Sequence, residues 1–189
     1  AASDVYKRQV QLAEVYGYEY RQQGNIVRVQ LPAIYGGQDR KVVLRLRVAS
    51  ERLGSRSVAK TRLVFSDSAG ERQTVAQSAM GRVSDDPAVV SRGVNPTVIA
   101  RVEQAQAASA MNEAMTAYGD GDIAGARGRL EQQIRRTSRL NKDLKRPELD
   151  RVVRTLKKQL ETAAEAAPAS PSGRALIKRS KAKAYGLAK

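Results

Sequence analysis

The chain has 189 residues, with 34 Lys+Arg against 19 Asp+Glu (formal charge +15) and no His, Cys or Trp. Without His or Cys, these residues cannot build a Ser-His-Asp or Cys-His nucleophile, a thiolate metal site or a disulfide, and no apolar run reaches the ~18 residues a membrane helix needs. The positive balance favours contact with polyanions, although a well-solvated basic surface gives the same count.

The first nine residues, AASDVYKRQ, lack an initiator Met and lack a basic start followed by an apolar run. They are therefore not a secretory signal. One in-frame back-translation of them resembles the end of a transposase sequencing adapter. Residues 1–9 read as an artefactual leader, with the protein's own start expected further upstream.

Residues 10–92 read as strands. In KVVLRLRV, Val42, Leu44, Leu46 and Val48 share one face, and Arg45 and Arg47 the other. This period of two marks a half-buried strand. NIVRVQL repeats it, with Val27, Val29 and Leu31 inward and Arg28 and Gln30 outward. AKTRLVF sets Ala59, Thr61, Leu63 and Phe65 opposite Lys60, Arg62 and Val64. VQLAEVYGYEY opens the set and RQTVAQSAMGRV closes it. Gln23-Gly24-Asn25 and Asp67-Ser68-Ala69-Gly70 supply hairpin turns, and Gly36-Gly37 and Gly54 break the chain. Short strands with frequent turns predict a small antiparallel β-sandwich. The outward row Arg28, Arg45, Arg47, Lys60 and Arg62 is the candidate anion-facing surface, or else a solvated face.

Residues 93–166 read as helical. Asn95-Pro96 is a helix start, and Val98, Val102, Ala105, Met111, Met115 and Tyr118 follow at helical spacing. After Gly119-Asp120-Gly121-Asp122, a second helix carries Ile123, Leu130, Ile134 and Thr137 and fades near Asn141. Pro147 opens a third, with Leu149, Val152, Leu156 and Leu160 on one stripe. Residues 167–173 read as a linker and 174–189 as a basic tail, which either docks as a last helix or stays free. The expected fold is thus α+β by segregation: a sandwich, then a three-helix antiparallel segment, then the tail.

No residue is a candidate for catalysis, cofactor binding or metal ligation. Asp120 and Asp122 suggest a calcium loop, but Ile123, Ala124 and Gly125 follow where oxygen ligands are needed. Asp85-Asp86-Pro87 reads as a turn. Arg135-Arg136 and Lys157-Lys158 sit on polar helix faces with no interleaved aromatic residues to stack bases, so nucleic-acid binding is expected to be weak and sequence-blind. AYGDGDIAGARGRL, residues 117–130, resembles the turn of a tetratricopeptide-type hairpin, in a single copy where a solenoid needs about three.

The stretch from Glu14 to Ser50 is the most specific in the chain. Val15, Gly17 and Tyr18 end one strand, Gly24 precedes a second, and Gly37, Gln38 and Arg40 lead into Val43–Val48, "VLRLRV". This arrangement resembles the β-sandwich that follows the von Willebrand factor type A (VWA) domain in a group of bacterial VWA proteins, which typically carry a helical segment after it. The resemblance implies a non-enzymatic accessory region with a protein partner, and a parent that mediates metal-dependent protein–protein interaction at the cell envelope. The divalent metal is expected only in a VWA domain upstream, because the Asp-x-Ser-x-Ser run that would hold it does not occur in these residues.

Overall fold

This computed structural model describes residues 10–49 and 51–188, and the expected leader, residues 1–9, lies outside them. Six strands come first: β1 (Val10–Tyr16), β2 (Tyr20–Gln23), β3 (Ile26–Val29), β4 (Val43–Val48), β5 (Gly54–Ser66) and β6 (Arg72–Val83). Five helices follow: α1 (Pro87–Gly93), α2 (Pro96–Gly119), α3 (Ile123–Leu144), α4 (Pro147–Glu165) and α5 (Pro171–Ala188). The fold is mixed α and β, with strands and helices segregated along the chain.

Among the described residues the strands form three two-stranded sheets. They pair two by two, β1 with β4, β2 with β3 and β5 with β6. Both well-defined ribbons are local hairpins. Gln23 opposes Ile26 across Gly24-Asn25, where Gly24 takes φ 58°. The β5–β6 ribbon turns at Asp67–Gly70, where the Asp67 carboxylate accepts from Ala69 N, Glu71 N and Gln73 Nε2. Its register pairs Leu63 with Val75 and Phe65 with Gln73, and opposed residues share a face. One face therefore carries Leu63, Phe65 and Val75, and the other Lys60, Arg62 and Arg72. The apolar side chains remain about half exposed, at 45%, 43% and 53%. An alternating pattern fixes a strand and its faces but not which layer covers them.

The chain divides into two compact units. One holds the described residues up to Ala13 together with Arg45–Val94, and so contains the β5–β6 ribbon and α1. The other holds Glu14–Leu44 and Asn95–Lys189. The stretch 14–44, read from sequence as part of the β-domain, thus clusters with the helices. The end of β1 anchors it: Val15 and Tyr16 are buried, and the Tyr16 hydroxyl accepts from Gln106 Nε2 on α2 at 3.0 Å.

In this second unit α2 is the central helix, and it packs against α3, α4 and α5. Asn95 caps it by accepting from Thr97 N and Val98 N, with Pro96 in the first turn. Its buried face is made largely of Ala and Met: Ala107, Ala108, Met111, Ala114 and Met115. Small residues let neighbouring helices approach, and Met fills the irregular gaps. Leu130 of α3, Leu149, Val152 and Leu156 of α4, and Leu176 and Ala184 of α5 complete the buried set.

Between α4 and α5 the break spans residues 166–170, and α5 packs as a helix against α2. Ser170 caps α5, its Oγ accepting from Gly173 N at 3.0 Å. Leu176, Ser180 and Ala184, four residues apart, are all buried. This narrow stripe is hidden in a sequence whose other positions are mostly Lys, Arg and Ala. Helix α5 returns to α2 and touches α4 little, so the unit closes on itself and does not extend as a solenoid.

Candidate functional site

The residues expected to form an anion-facing row lie on three different ribbons. Arg28 is on β3 opposite Arg21, and its Nη1 donates to Gln23 Oε1 at 3.4 Å. Arg45 and Arg47 are exposed on β4, and Lys60 and Arg62 are exposed on β5. Arg28 belongs to the helical unit and the other four to the ribbon unit. Shared outward orientation within each strand does not place these cations on one sheet. Among the described residues no group of three or more potential metal-ligating side chains occurs, and no helix is long and apolar enough to cross a membrane.

A groove of about 560 Å³ lies between α2 and α3. The turn joining these helices is the tetratricopeptide-like segment. Gly121 takes φ 88°, Asp122 caps α3 by accepting from Gly125 N at 2.8 Å, and Tyr118 and Ala126 are buried on either side. This turn sets α2 and α3 antiparallel, so residues near the start of α2 face the end of α3.

At the base of the groove lies Glu103, only 2% exposed. Oε1 accepts from Gln133 Nε2 and from Thr137 Oγ1, both at 2.8 Å. Oε2 meets Arg136 Nε at 3.2 Å. Arg136 also donates through Nη2 to Gln106, whose amide in turn reaches Tyr16. A buried carboxylate is tolerated when its lone pairs are filled in this way. The chain Tyr16–Gln106–Arg136–Glu103–Thr137 fixes α3 against α2 and ties the end of β1 to both.

The remaining lining is of two kinds. Ile99, Val102 and Leu140 give an aliphatic floor, and Gln132, Arg135, Arg139 and Asp143 form the α3 rim. Arg135 approaches Glu131 at 3.8 Å with its side chain 67% exposed. Arg139 makes no hydrogen bond or ion pair among the described residues.

A second polar locus involves the motif residues of the N-terminal stretch. Tyr18 Oη and Arg40 Nε are buried and without a hydrogen-bond partner among the described residues. Burial pushes the Tyr18 phenol above its ordinary value, and the positive Arg40 nearby pulls it back.

Sequence reasoning missed Glu103, although a signal was present. Between Asn95 and Asn112 it is the only acidic residue, set among alanines that face the core. Arg135 fits the solvated reading, and Arg136 reaches Glu103 while its side chain stays 56% exposed. A comparison of this chain with protein-family models, with curated proteins and with solved structures finds no match.

Proposed function

We propose that this chain is a non-catalytic interaction region, of the kind that follows the VWA domain in bacterial VWA proteins, and that its helical unit receives a protein partner. The observation that carries the reading is the division of labour in the α2–α3 groove. The interior carboxylate of Glu103 has its acceptors committed to Gln133, Thr137 and Arg136, which suits a structural role better than proton transfer. Arg139 at the rim is left for a partner, and Arg135 is held only by an exposed 3.8 Å pair with Glu131. Metal-dependent adhesion would then reside in a VWA domain outside these residues, and the exposed apolar face of the β5–β6 ribbon would serve as one layer of a sandwich completed elsewhere.

The test is in-cell photo-crosslinking of the full-length gene product with a photoreactive amino acid at Gln132. A discrete protein adduct that disappears with Arg139→Glu is the expected result. Failure to form any adduct refutes the reading. A nuclease-sensitive adduct would favour the second reading, a polyanion-binding module, which the +15 charge supports. Such binding rests on charge alone, with dissociation constants of roughly 10⁻⁴–10⁻⁶ M at physiological salt that weaken steeply as salt rises.

A further inference from the structure

We infer that the α2–α3 groove takes a short acidic, amphipathic segment of a partner protein, seated with its carboxylates over Arg135 and Arg139. This rests on the reading of the helical unit as a partner-binding element, and it specifies the chemistry of the partner.

The floor and rim make different demands. Ile99, Val102 and Leu140 offer aliphatic surface, which rewards a ligand with branched side chains along one edge. Arg135 and Arg139 are four residues apart on α3, so their Cβ atoms lie roughly 6 Å apart on one face. Two carboxylates one helical turn apart on the ligand match that spacing. Arg136 does not join them, because Glu103 and Gln106 already hold it, and so it acts as a fixed wall.

Length and polarity narrow the ligand further. From Gln132 to Asp143 the α3 side runs twelve residues, eleven helical rises or roughly 16 Å, about three turns of a docked helix. Asp143, the last α3 residue of the lining, lies toward one end of the groove, and it disfavours a ligand that is acidic throughout. The preferred segment is acidic over Arg135 and Arg139 and neutral or basic beyond them. A nucleic acid matches poorly, because no aromatic side chain lines the groove to stack a base.

The test uses the whole chain and fluorescence anisotropy at about 0.15 M salt, where exposed charges are largely screened beyond a Debye length. The probe is a labelled peptide of about 14 residues, long enough for three to four helical turns. It has Leu on one face and two Glu one turn apart on the flank. Controls replace Leu by Ser, replace Glu by Lys, or substitute a short DNA duplex. The expected result is saturable binding of the Leu/Glu peptide, weakened about tenfold or more by Arg135→Glu/Arg139→Glu. Partial recovery by the Lys peptide on that double variant would confirm the pairing. Neither substitution touches Glu103 or Arg136, and an unchanged circular dichroism melt verifies folding. Equal binding of the Ser peptide or of DNA, or the absence of saturation, overturns the inference. A protein crosslink at Gln132 without peptide binding would sink this inference while leaving the broader reading intact.

Discussion

Replacing Glu103 by Ala should destabilise the helical unit by about 3 kcal/mol. The carboxylate is 2% exposed and accepts two hydrogen bonds at 2.8 Å from Gln133 and Thr137. Hydrogen bonds to a charged group contribute roughly 1.5–3 kcal/mol each when one partner is deleted. The lower bound applies, because Gln133 Nε2 can still donate to Thr137 Oγ1 at 3.2 Å. Arg136 adds little, since its side chain is 56% exposed and returns to water when its partner is lost. For a unit of this size, ~3 kcal/mol corresponds to a fall in melting temperature on the order of 15 °C. The assay is thermal unfolding followed by circular dichroism at the helix band. Glu103→Gln keeps an acceptor for Gln133 and Thr137 and should lose only about a third as much, with one neutral hydrogen bond worth ~1 kcal/mol. If Glu103→Ala melts within about 2 °C of the parent, or if Gln costs as much as Ala, the network does not hold α3 to α2.

Four further substitutions test the turns. Gly173→Ala would place a Cβ 2.2 Å from Ala167 O and 2.7 Å from Pro168 O, so differential scanning calorimetry should show a loss of about 1–3 kcal/mol, and a gain would show that the α4–α5 turn is loose. Tyr118→Phe removes the 2.5 Å bond to Ala166 O and should cost about 1 kcal/mol at neutral pH. Burial raises the Tyr118 phenol above its usual 10.0, so its stabilisation holds below pH 10 and is lost as pH rises through the raised value. Melting curves taken across that window should therefore fall more steeply for the parent than for Tyr118→Phe, and parallel curves would contradict the assignment. Asp122→Ala should cost about 1 kcal/mol as a lost cap. Gly125→Ala, whose Cβ would fall 1.9 Å from Asp122 Oδ2, should be nearly neutral in chemical denaturation, because the ~1 kcal/mol gained in helix propensity offsets the displaced cap.

The parts of the fold legible in the sequence are those fixed by neighbours along the chain. Asn95 and Pro96 start α2, Pro147 starts α4, and Gly24 and Asp67–Gly70 turn the two hairpins, each through local backbone geometry and a side-chain cap. Strand faces were legible for the same reason, since alternation is a local property. The failures are non-local. Val10–Val48 contains good strand patterns, yet nothing in them states that Glu14–Leu44 will cluster with helices more than fifty residues further on. Helix α5 was obscured because its buried stripe contains Ser180 and Ala184, which carry a weak hydrophobic signal, among residues that are mostly Lys, Arg and Ala.

The site illustrates the same division at the level of chemistry. Cations such as Arg47, Lys60 and Arg62 are conspicuous in sequence because charge is counted residue by residue, but exposed charges cost little and specify little. Glu103 is inconspicuous by count and decisive by position. Once Ala100 and Ala107 commit their face of α2 to the interior, the carboxylate between them must find donors, and only a helix carrying Gln133, Arg136 and Thr137 in its register can supply them. That requirement fixes the position of α3 along α2, and with it the spacing of Arg135 and Arg139 above the aliphatic floor. Arg139, and Arg135 beside its 3.8 Å partner Glu131, are therefore placed by a buried anion, and if the groove receives the proposed acidic segment, Glu103→Ala should weaken peptide binding in the anisotropy assay even with Arg135 and Arg139 untouched.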